Sequence, residues 1–186
     1  DYSTLPKADL VLITHHHGDH LDASAVSLLR KPGTFVYCTR MAAARLPGST
    51  ILGSGQAVLR FGIRIQALPA YNSTGMRSPG NPYHPRGEGN GYLLTLGGKR
   101  VYIAGDTENT PEMKALRDID VAFLPVNQPY TMTAAMVLDA VRAFRPKILY
   151  PYHFHHGTTD VDTLTRLLAG NGHTELRLRH FPKKSE

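Results

Sequence analysis

The sequence predicts an α/β fold in which short strands and helices alternate, and three observations lead to this prediction. Apolar runs of strand length alternate with helical patterns through most of the chain. A chain of 186 residues with 41% hydrophobic and 19% charged residues has an ordinary globular composition. Residues that can bind metal follow several predicted strands, as active groups do in α/β folds. We expect a single domain over residues 1–186.

The first part of the chain predicts three strands, two short helices and a long loop. Each strand is marked by an apolar run or by alternation, and each helix follows a side chain that can cap it. The predicted strands are 8–14, 35–38 and 63–67, and the predicted helices are 23–30, capped by Asp22, and 39–45, capped by Thr39. Residues 69–90 are rich in Gly, Pro, Asn and Ser and predict a loop, which at this length is usually functional.

The second part of the chain predicts a hairpin followed by alternating helices and strands. Gly97 and Gly98 separate two apolar runs, which is the pattern of a hairpin turn. Pro111 suits the first turn of a helix. After the hairpin over 92–104, the predicted elements are helix 111–116, strand 121–124, helix 133–144, strand 148–150, helix 161–168 and strand 175–179.

The segment from His15 to His20 is the strongest functional signal in the sequence. It has the spacing His-x-His-x-Asp-His and follows the first predicted strand. Imidazole nitrogens and carboxylate oxygens are the ligands that zinc and similar ions prefer. Because alternate side chains of an extended segment point the same way, His15 and His17 can bind one ion together. Asp19 and His20 follow a glycine turn and can face a second ion.

Two later positions supply further candidate ligands. Asp106 follows an apolar strand and a glycine that permits a tight turn, and its two carboxylate oxygens can bridge two cations. His153 lies at the end of another strand. Taken alone, Asp106 could be a turn former and His153 a partly buried histidine with a protein partner. Together with the histidine loop, both residues are predicted to bind metal.

These motifs resemble those of the metallo-β-lactamase superfamily of binuclear metal hydrolases. The resemblance rests on His15-x-His17-x-Asp19-His20, Ala104-Gly105-Asp106-Thr107 and Tyr150-Pro151-Tyr152-His153. Within this superfamily, the sequence most resembles a branch of small bacterial metal-dependent hydrolases. That branch is similar to ascorbate-6-phosphate lactonase and N-acyl-phosphatidylethanolamine phospholipase D. Shorter matches to that branch are Pro69-Ala70-Tyr71-Asn72, His84-Pro85, Leu124-Pro125 and Tyr130-Thr131-Met132-Thr133.

The resemblance implies a metallo-β-lactamase-like αββα sandwich with the metal ions at one edge, between two β-sheets. It assigns the ligands as His15 and His17 on the first metal, Asp19, His20 and His153 on the second, and Asp106 on both. The expected cofactors are two divalent metal ions, zinc first, with manganese or iron as alternatives.

The sequence departs from the family pattern at two places. The family has a further histidine on the first metal, after the strand that ends near residue 70, but this chain has Asn72 there. We predict that His84 completes the first site, with a substrate-contacting or solvent-facing histidine as the alternative. The family also has two or more strands before the histidine loop, whereas only residues 1–7 precede the first predicted strand. Either N-terminal strands are missing from this chain or its first sheet is short.

The predicted activity is hydrolysis of a phosphoester or a lactone-type ester, as in a phosphodiesterase or a lactonase. Two cations about 3.5–4 Å apart can hold a water molecule and lower its pKa toward 7, which supplies a bridging hydroxide at neutral pH. Asp19 is predicted to orient this hydroxide and accept its proton. Asn72, Arg86 and Tyr130 are loop residues predicted to contact substrate, with a structural loop role as the alternative.

Three other functions share parts of this pattern. A nuclease of the same superfamily would fit the basic chain, but the Lys and Arg residues form no clustered patch of the kind that binds nucleic acid. A di-iron redox protein on the same fold typically has a carboxylate in place of His17, and a flavin partner domain. A metal-stabilised binding module without turnover is disfavoured by the full ligand set.

Charge and hydropathy limit the partners and the location. A net charge of +6 and a pI near 9.5 favour a small anionic substrate. No apolar run approaches the ~18 residues of a membrane span. Cys38 is the single cysteine, so no internal disulfide can form. We expect a cytoplasmic protein; because the chain begins at Asp1, a protein with a removed leader is the alternative.

Overall fold

Two β-sheets pack face to face in the computed structural model, which describes residues 2–154 and 161–179. The smaller sheet has three parallel strands in the order β1 (Leu10–Leu12), β2 (Phe35–Cys38) and β3 (Thr50–Ile51). The larger sheet has seven strands in the order β12 (Glu175–Leu176), β11 (Ile148–Tyr152), β10 (Val121–Pro125), β9 (Lys99–Ile103), β8 (Gly89–Leu96), β5 (Ile63–Ala70) and β4 (Ala57–Arg60). A separate two-stranded hairpin consists of β6 (Met76–Ser78) and β7 (Asn81–Pro82).

The helices cover the outer faces of the two sheets. Four of them begin at a residue whose side chain accepts a hydrogen bond from the backbone N–H three residues later, namely Asp22, Thr39, Thr110 and Thr133. The helices are a 3₁₀ turn at Tyr2–Thr4, α1 (Ala23–Leu29), α2 (Arg40–Ala43), α3 (Pro111–Lys114), α4 (Ala134–Phe144) and α5 (Val161–Leu168). Among the described residues, no helix has the length and apolar character needed to cross a membrane.

Three buried apolar clusters define four layers. One cluster lies between the smaller sheet and helices α1 and α2 and includes Val26 and Val36. A second lies between the two sheets and includes Tyr37, Ile65 and Tyr92. The third and largest packs α3, α4 and α5 on the larger sheet. The layers are therefore helix, sheet, sheet and helix, which confirms the predicted αββα sandwich.

The carboxyl ends of several strands meet at one edge of this sandwich. Strands β9, β10 and β11 are parallel, and β5 runs in the same direction because the antiparallel strand β8 lies between β5 and β9. The end of β1 joins this edge, since the Asn90 N–H donates to the Thr14 carbonyl at 2.8 Å. Loops that follow these strands therefore converge, as the carboxyl ends of strands do in α/β folds.

The structure differs from the predicted elements mainly in short strands. The first strand covers Leu10–Leu12 instead of 8–14, and the last covers Glu175–Leu176 instead of 175–179. Strands β3 and β4 were not predicted, and the loop predicted over 69–90 contains β6 and β7 as well as the ends of β5 and β8. Strands of two to four residues are too short for an alternating pattern to stand out from a loop.

Candidate metal centre

The histidine loop leaves β1 and is anchored to the larger sheet through its backbone. The hydroxyl of Tyr92, which is fully buried on β8, donates to the Ile13 carbonyl at 2.8 Å. The next carbonyl, that of Thr14, accepts from the Asn90 N–H at 2.8 Å. Two successive residues of the loop are thus bonded to β8 directly before the first histidine. These bonds set the position from which His15 and the following ligands project.

Asp106 follows β9 through a turn that requires glycine. Gly105 has a φ of +68°, and a Cβ atom there would lie 2.6 Å from the Asn90 carbonyl oxygen and 3.2 Å from the Thr14 Cβ atom. The Asn90 oxygen is a backbone atom, and the Thr14 Cβ atom is attached to the residue whose carbonyl accepts from the Asn90 N–H, so neither can move away without disturbing the histidine loop. The Tyr152 hydroxyl donates to the Gly105 carbonyl at 2.6 Å. Asp106 is consequently buried, with 4% of its surface exposed.

His153 follows β11 in a strained backbone conformation. Its φ is +59°, which is unusual for a residue with a Cβ atom and is found where the surrounding structure imposes it, often at functional sites. The Nδ1 atom of the ring lies 3.2 Å from the side-chain amide of Asn127, which follows β10. The opposite ring nitrogen, Nε2, lies 3.1 Å from Oδ2 of Asp19. The ring of His153 thus joins the Asn127 amide to the histidine loop.

The predicted metal ligands form two adjacent groups. In each group, one ligand atom per residue lies within 4.8 Å of every other, and the groups are His15, His17 and His84, and Asp19, His20, Asp106 and His153. One oxygen of Asp106 lies between the groups. Its Oδ2 atom is 3.3 Å from Nε2 of His20, 3.3 Å from Nε2 of His84, 3.4 Å from Nε2 of His153 and 3.9 Å from Nε2 of His15. All seven predicted ligands are therefore brought together.

Burial and neighbouring charges shift the pKa values of this cluster in different directions. Burial, followed by the charge of His20, lowers the pKa of His15 to about 3, so its imidazole is neutral at pH 7. Burial would raise the pKa of Asp106, but the imidazoles of His20 and His84, each with Nε2 3.3 Å from Oδ2, outweigh burial and hold it well below its ordinary value. Burial would also lower the pKa of His20, but Asp106 and Asp19 outweigh it and raise that pKa.

The donor atoms of the two groups fit divalent metal ions. Nε2 of His15, Nε2 of His20 and Oδ1 of Asp106 are buried and have no hydrogen-bond partner among the described residues. Buried polar atoms nearly always have a hydrogen-bond partner. A cluster of buried nitrogen and oxygen atoms without such partners therefore indicates that a ligand binds there. Imidazole nitrogens with one or two carboxylates are a donor set that zinc accepts. A neutral His15 also offers the free lone pair that metal binding requires.

The side chain of Asn72 fixes the orientation of the His84 ring. The Nδ2 group of Asn72 donates to the Tyr130 carbonyl at 2.9 Å and lies 3.3 Å from a carboxylate oxygen of Glu108. Both partners are acceptors, so the amide oxygen must face the other way. That oxygen accepts a hydrogen bond from the backbone N–H of His84 at 3.0 Å, and it lies 2.7 Å from Nδ1 of the His84 ring. The Nδ1 atom of His84 therefore carries a proton, and in the neutral ring Nε2 turns its lone pair toward Asp106.

Glu108, which was not predicted from the sequence, organises the turn that contains Asn72. One of its oxygens accepts from the N–H groups of Ser73 and Thr74 at 2.7 and 2.8 Å. The other accepts from the Gly75 N–H at 2.6 Å and from the Thr74 hydroxyl at 2.8 Å. Burial would raise the pKa of Glu108, but these donors outweigh burial and lower it. A buried, ionised carboxylate thus holds the turn behind His84.

A cleft of about 250 Å³ opens beside the two groups. Tyr130, which the sequence predicts to contact substrate, is among the residues that line it. Arg77, Tyr83 and Asn127 line it as well and were not predicted. Asn127 could have been found by the rule that identified Asp106, because it follows a buried strand. Arg77 and Tyr83 lie in a segment without periodicity, where the sequence carries no signal for side-chain direction.

Asn72 and Arg86, which the sequence predicts to contact substrate, lie outside the lining of this cleft. Asn72 is 5% exposed, and its amide is occupied by protein partners. The Arg86 guanidinium lies 2.6 Å from a carboxylate oxygen of Glu112 and 5.0 Å from the centre of the Tyr71 ring. Asn72 therefore orients a predicted ligand, and Arg86 is paired at the surface.

Comparison with known families and relatives adds an independent line of evidence. Residues 1–153 match the family described as the beta-lactamase superfamily domain. A UPF0173 metal-dependent hydrolase from Pelotomaculum thermopropionicum is 32% identical over 160 residues, which covers 80% of this chain and 68% of the relative.

Two solved structures are similar to this chain over nearly its whole length. A protein from Parabacteroides distasonis that was assigned to the metal-dependent hydrolases is 48% identical, with a TM-score of 0.89, over 98% of this chain and 80% of that protein. Igni18, a metallo hydrolase from Ignicoccus hospitalis, is 27% identical, with a TM-score of 0.74, over 94% of this chain and 77% of that protein.

Proposed function

The chain belongs to the metallo-β-lactamase superfamily and is a metal-dependent hydrolase, and we propose that it uses two divalent metal ions to hydrolyse a small phosphoester or lactone-type ester. The observation that supports this proposal most strongly is the position of Asp106. One of its oxygens lies within 3.9 Å of Nε2 of four histidines that belong to two separate ligand groups. A carboxylate between two groups of donors is the arrangement expected of a residue that serves two ions.

Each ion would be held by one of the two groups. His15, His17 and His84 would hold the first, and Asp19, His20 and His153 the second, with Asp106 serving both. We propose zinc, because the first group offers only imidazole nitrogens, with manganese and iron as the alternatives to be tested. Ions bound there would activate a water molecule at neutral pH and polarise the bond under attack.

The proposed role of Asp19 is to orient the attacking water and to accept its proton. Its carboxylate is 61% exposed and lines the cleft, so substrate and water can reach it. Its Oδ2 atom lies 3.1 Å from Nε2 of His153 and 3.3 Å from Nε2 of His20. Burial would raise the pKa of Asp19, but the charge of His20 and hydrogen bonds outweigh it and lower that pKa. An ionised carboxylate at the mouth of the centre suits a proton acceptor.

The neighbours of the ligand rings support this assignment. A metal-binding histidine usually donates its other ring N–H to a protein acceptor, which fixes its tautomer. Asn72 accepts from His84 in this way, and the Thr14 hydroxyl lies 3.1 Å from Nδ1 of His15. The Asn127 amide can serve His153 if its oxygen faces the ring, since the two ends of an amide are assigned from their surroundings.

A hydrolysis panel tests the proposal. Metal-loaded and metal-depleted protein would be compared on a phosphodiester, a phosphorylated lactone, a homoserine lactone, a β-lactam and RNA. We expect metal-dependent turnover of the phosphodiester or of a lactone, and loss of that turnover in Asp106→Ala. Turnover of RNA alone would identify a nuclease instead. No metal-dependent turnover of any ester, with the metal bound, would contradict the proposal.

A further inference from the structure

Three side chains that are not among the predicted metal ligands form one wall of the cleft. This wall carries a positive charge. Arg77 comes from β6, Tyr83 follows β7, and Tyr130 follows Pro129. The Arg77 guanidinium lies 5.2 Å from the centre of the Tyr83 ring, and the Tyr83 ring lies edge-on to the Tyr130 ring with 4.9 Å between their centres. All three residues line the same cavity as Asp19 and Asp106.

Arg77 differs from the other stacked arginine near this site in having no carboxylate partner. Arg86 also stacks on a tyrosine, but its guanidinium lies 2.6 Å from Glu112 and outside the cleft lining. Among the described residues, no carboxylate oxygen lies within 4.0 Å of the Arg77 guanidinium, and Arg77 is the single Lys or Arg that lines the cleft. An unpaired guanidinium facing a cavity has its hydrogen-bond donors free for a ligand.

The wall is held in place by the same turn that orients His84. Tyr83 donates from its N–H to the Gly75 carbonyl at 3.2 Å, at the base of the β6–β7 hairpin. The Tyr130 carbonyl accepts from Asn72 at 2.9 Å, and the Tyr130 N–H donates to the Asn127 carbonyl at 3.0 Å. Stacking on Tyr83 limits the conformational freedom of the Arg77 guanidinium, so less side-chain entropy is lost when an anion binds.

We infer that Arg77, with Tyr83 and Tyr130, binds an anionic group of the substrate, a phosphate or a carboxylate, away from the bond that is cleaved. Arginine binds both anions through paired N–H donors. A cavity of about 250 Å³ is below the usual ~300 Å³ of ligand pockets, which indicates a small substrate. This inference rests on the proposed function, since it assigns the substrate class of the same site.

Matched pairs of substrates test this subsite. One pair is gluconolactone and its 6-phosphate, and the other is N-butyryl- and N-succinyl-homoserine lactone, which differ by a terminal carboxylate. For the metal-loaded protein we expect kcat/KM to be about 10- to 100-fold higher for the anionic member of at least one pair. Preference within the first pair would identify phosphate, and preference within the second would identify carboxylate.

Variants show whether Arg77 causes the preference. Arg77→Gln should reduce the ratio of anionic to neutral kcat/KM by the same factor, and Arg77→Lys should restore part of it, because a lysine keeps the charge but not the paired donors. The control is Arg64→Gln, an exposed residue at the opposite end of β5, which should leave the ratio unchanged. A ratio near one in the wild type, or an unchanged ratio in Arg77→Gln, would overturn the inference.

A binding measurement separates failure of the subsite from failure of the proposed function. Calorimetry would compare 6-phosphogluconate with gluconate, the hydrolysis products of the first pair, and succinate with butyrate. Tighter binding of the more highly charged member that disappears in Arg77→Gln supports the subsite even if no lactone is hydrolysed. Hydrolysis without any such difference in binding would support the proposed function and contradict the subsite.

Discussion

Asn72 Oδ1 lies 2.7 Å from Nδ1 of His84, and this contact sets which nitrogen of the ring faces Asp106. The opposite ring nitrogen lies 3.3 Å from Asp106 Oδ2. In the neutral ring, the lone pair of that nitrogen faces a carboxylate oxygen, and the two would repel each other without a cation between them. Asn72 therefore contributes to the candidate metal centre although it touches none of the cleft.

Removal of the amide should weaken the first metal site without removing a ligand. In Asn72→Ala the ring of His84 loses the acceptor that fixes its tautomer, and we expect zinc affinity to fall about 10- to 100-fold. The measurement is competition with a chromophoric chelator, with circular dichroism to confirm the fold. Asn171→Ala, after α5, is the matched control and should bind zinc as the wild type does. Equal affinity in Asn72→Ala would show that its contact with His84 has no role in metal binding.

Removal of the His84 side chain itself should lower the number of metal ions bound per protein molecule. We expect His84→Ala to bind about one metal equivalent where the wild type binds about two, because the first group would retain only His15 and His17. Metal analysis after loading and desalting measures this. His173→Ala, an exposed residue outside both groups, should keep the wild-type content. Two equivalents in His84→Ala would remove His84 from the ligand set.

Metal binding should stabilise the fold strongly. The two groups place unpaired buried donor atoms side by side in the absence of an ion. At an ion concentration about 100 times Kd, binding contributes about 2.7 kcal/mol, which for a chain of this size raises Tm by about 5–10 °C. Thermal unfolding with zinc, manganese, iron and a chelator gives the order of affinity. Asp106→Ala should lose most of this response, and a full response in that variant would contradict a shared carboxylate.

The turn held by Glu108 should not tolerate a side chain at Gly75. A Cβ atom there would lie 2.8 Å from Asn72 Nδ2 and 2.9 Å from the Pro129 carbonyl oxygen. We expect Gly75→Ala to lower the free energy of unfolding by about 1–3 kcal/mol, measured by urea denaturation. Gly170→Ala is the control, because a Cβ atom at Gly170 meets nothing within 4 Å. If both variants unfolded alike, the turn would have room to adjust.

The alternating strands and helices and several candidate ligands could be predicted from the sequence because their signals are local, whereas the αββα layering and the assignment of each ligand were implied by the family resemblance. The metal-binding pattern of the histidine loop lies within six residues, and Asp106 and His153 each follow an apolar strand. The residues that orient those ligands were not predictable in the same way. Glu108 acts on a turn 33–35 residues earlier, so its role depends on how distant segments meet. Arg77 and Arg86 lie in one aperiodic loop, and only the folded hairpin decides which of them faces the cleft.

Glu108→Gln should destabilise the protein at neutral pH and remove part of its sensitivity to acid. Both carboxylate oxygens accept from N–H groups, so the NH₂ of a glutamine would face a donor on either side. We expect a loss of about 2–3 kcal/mol at pH 7, from the strength of hydrogen bonds to a charged group.

The pH dependence follows from the lowered pKa of Glu108. Because the folded state holds that pKa below its ordinary value, the carboxylate stabilises the protein above that value, and the contribution is lost as the pH falls through the folded pKa. The difference between wild type and Glu108→Gln should therefore be largest at pH 7 and shrink in acid. Urea unfolding of the metal-free proteins at pH 7 and at successively lower pH measures it, and the titration of the other acidic and histidine side chains cancels in the difference. Glu112→Gln, which removes a carboxylate paired with Arg86 near the surface, is the control at pH 7 and should lose less stability than Glu108→Gln. A difference for Glu108→Gln that stayed constant as the pH fell would show that the turn does not depend on an ionised carboxylate.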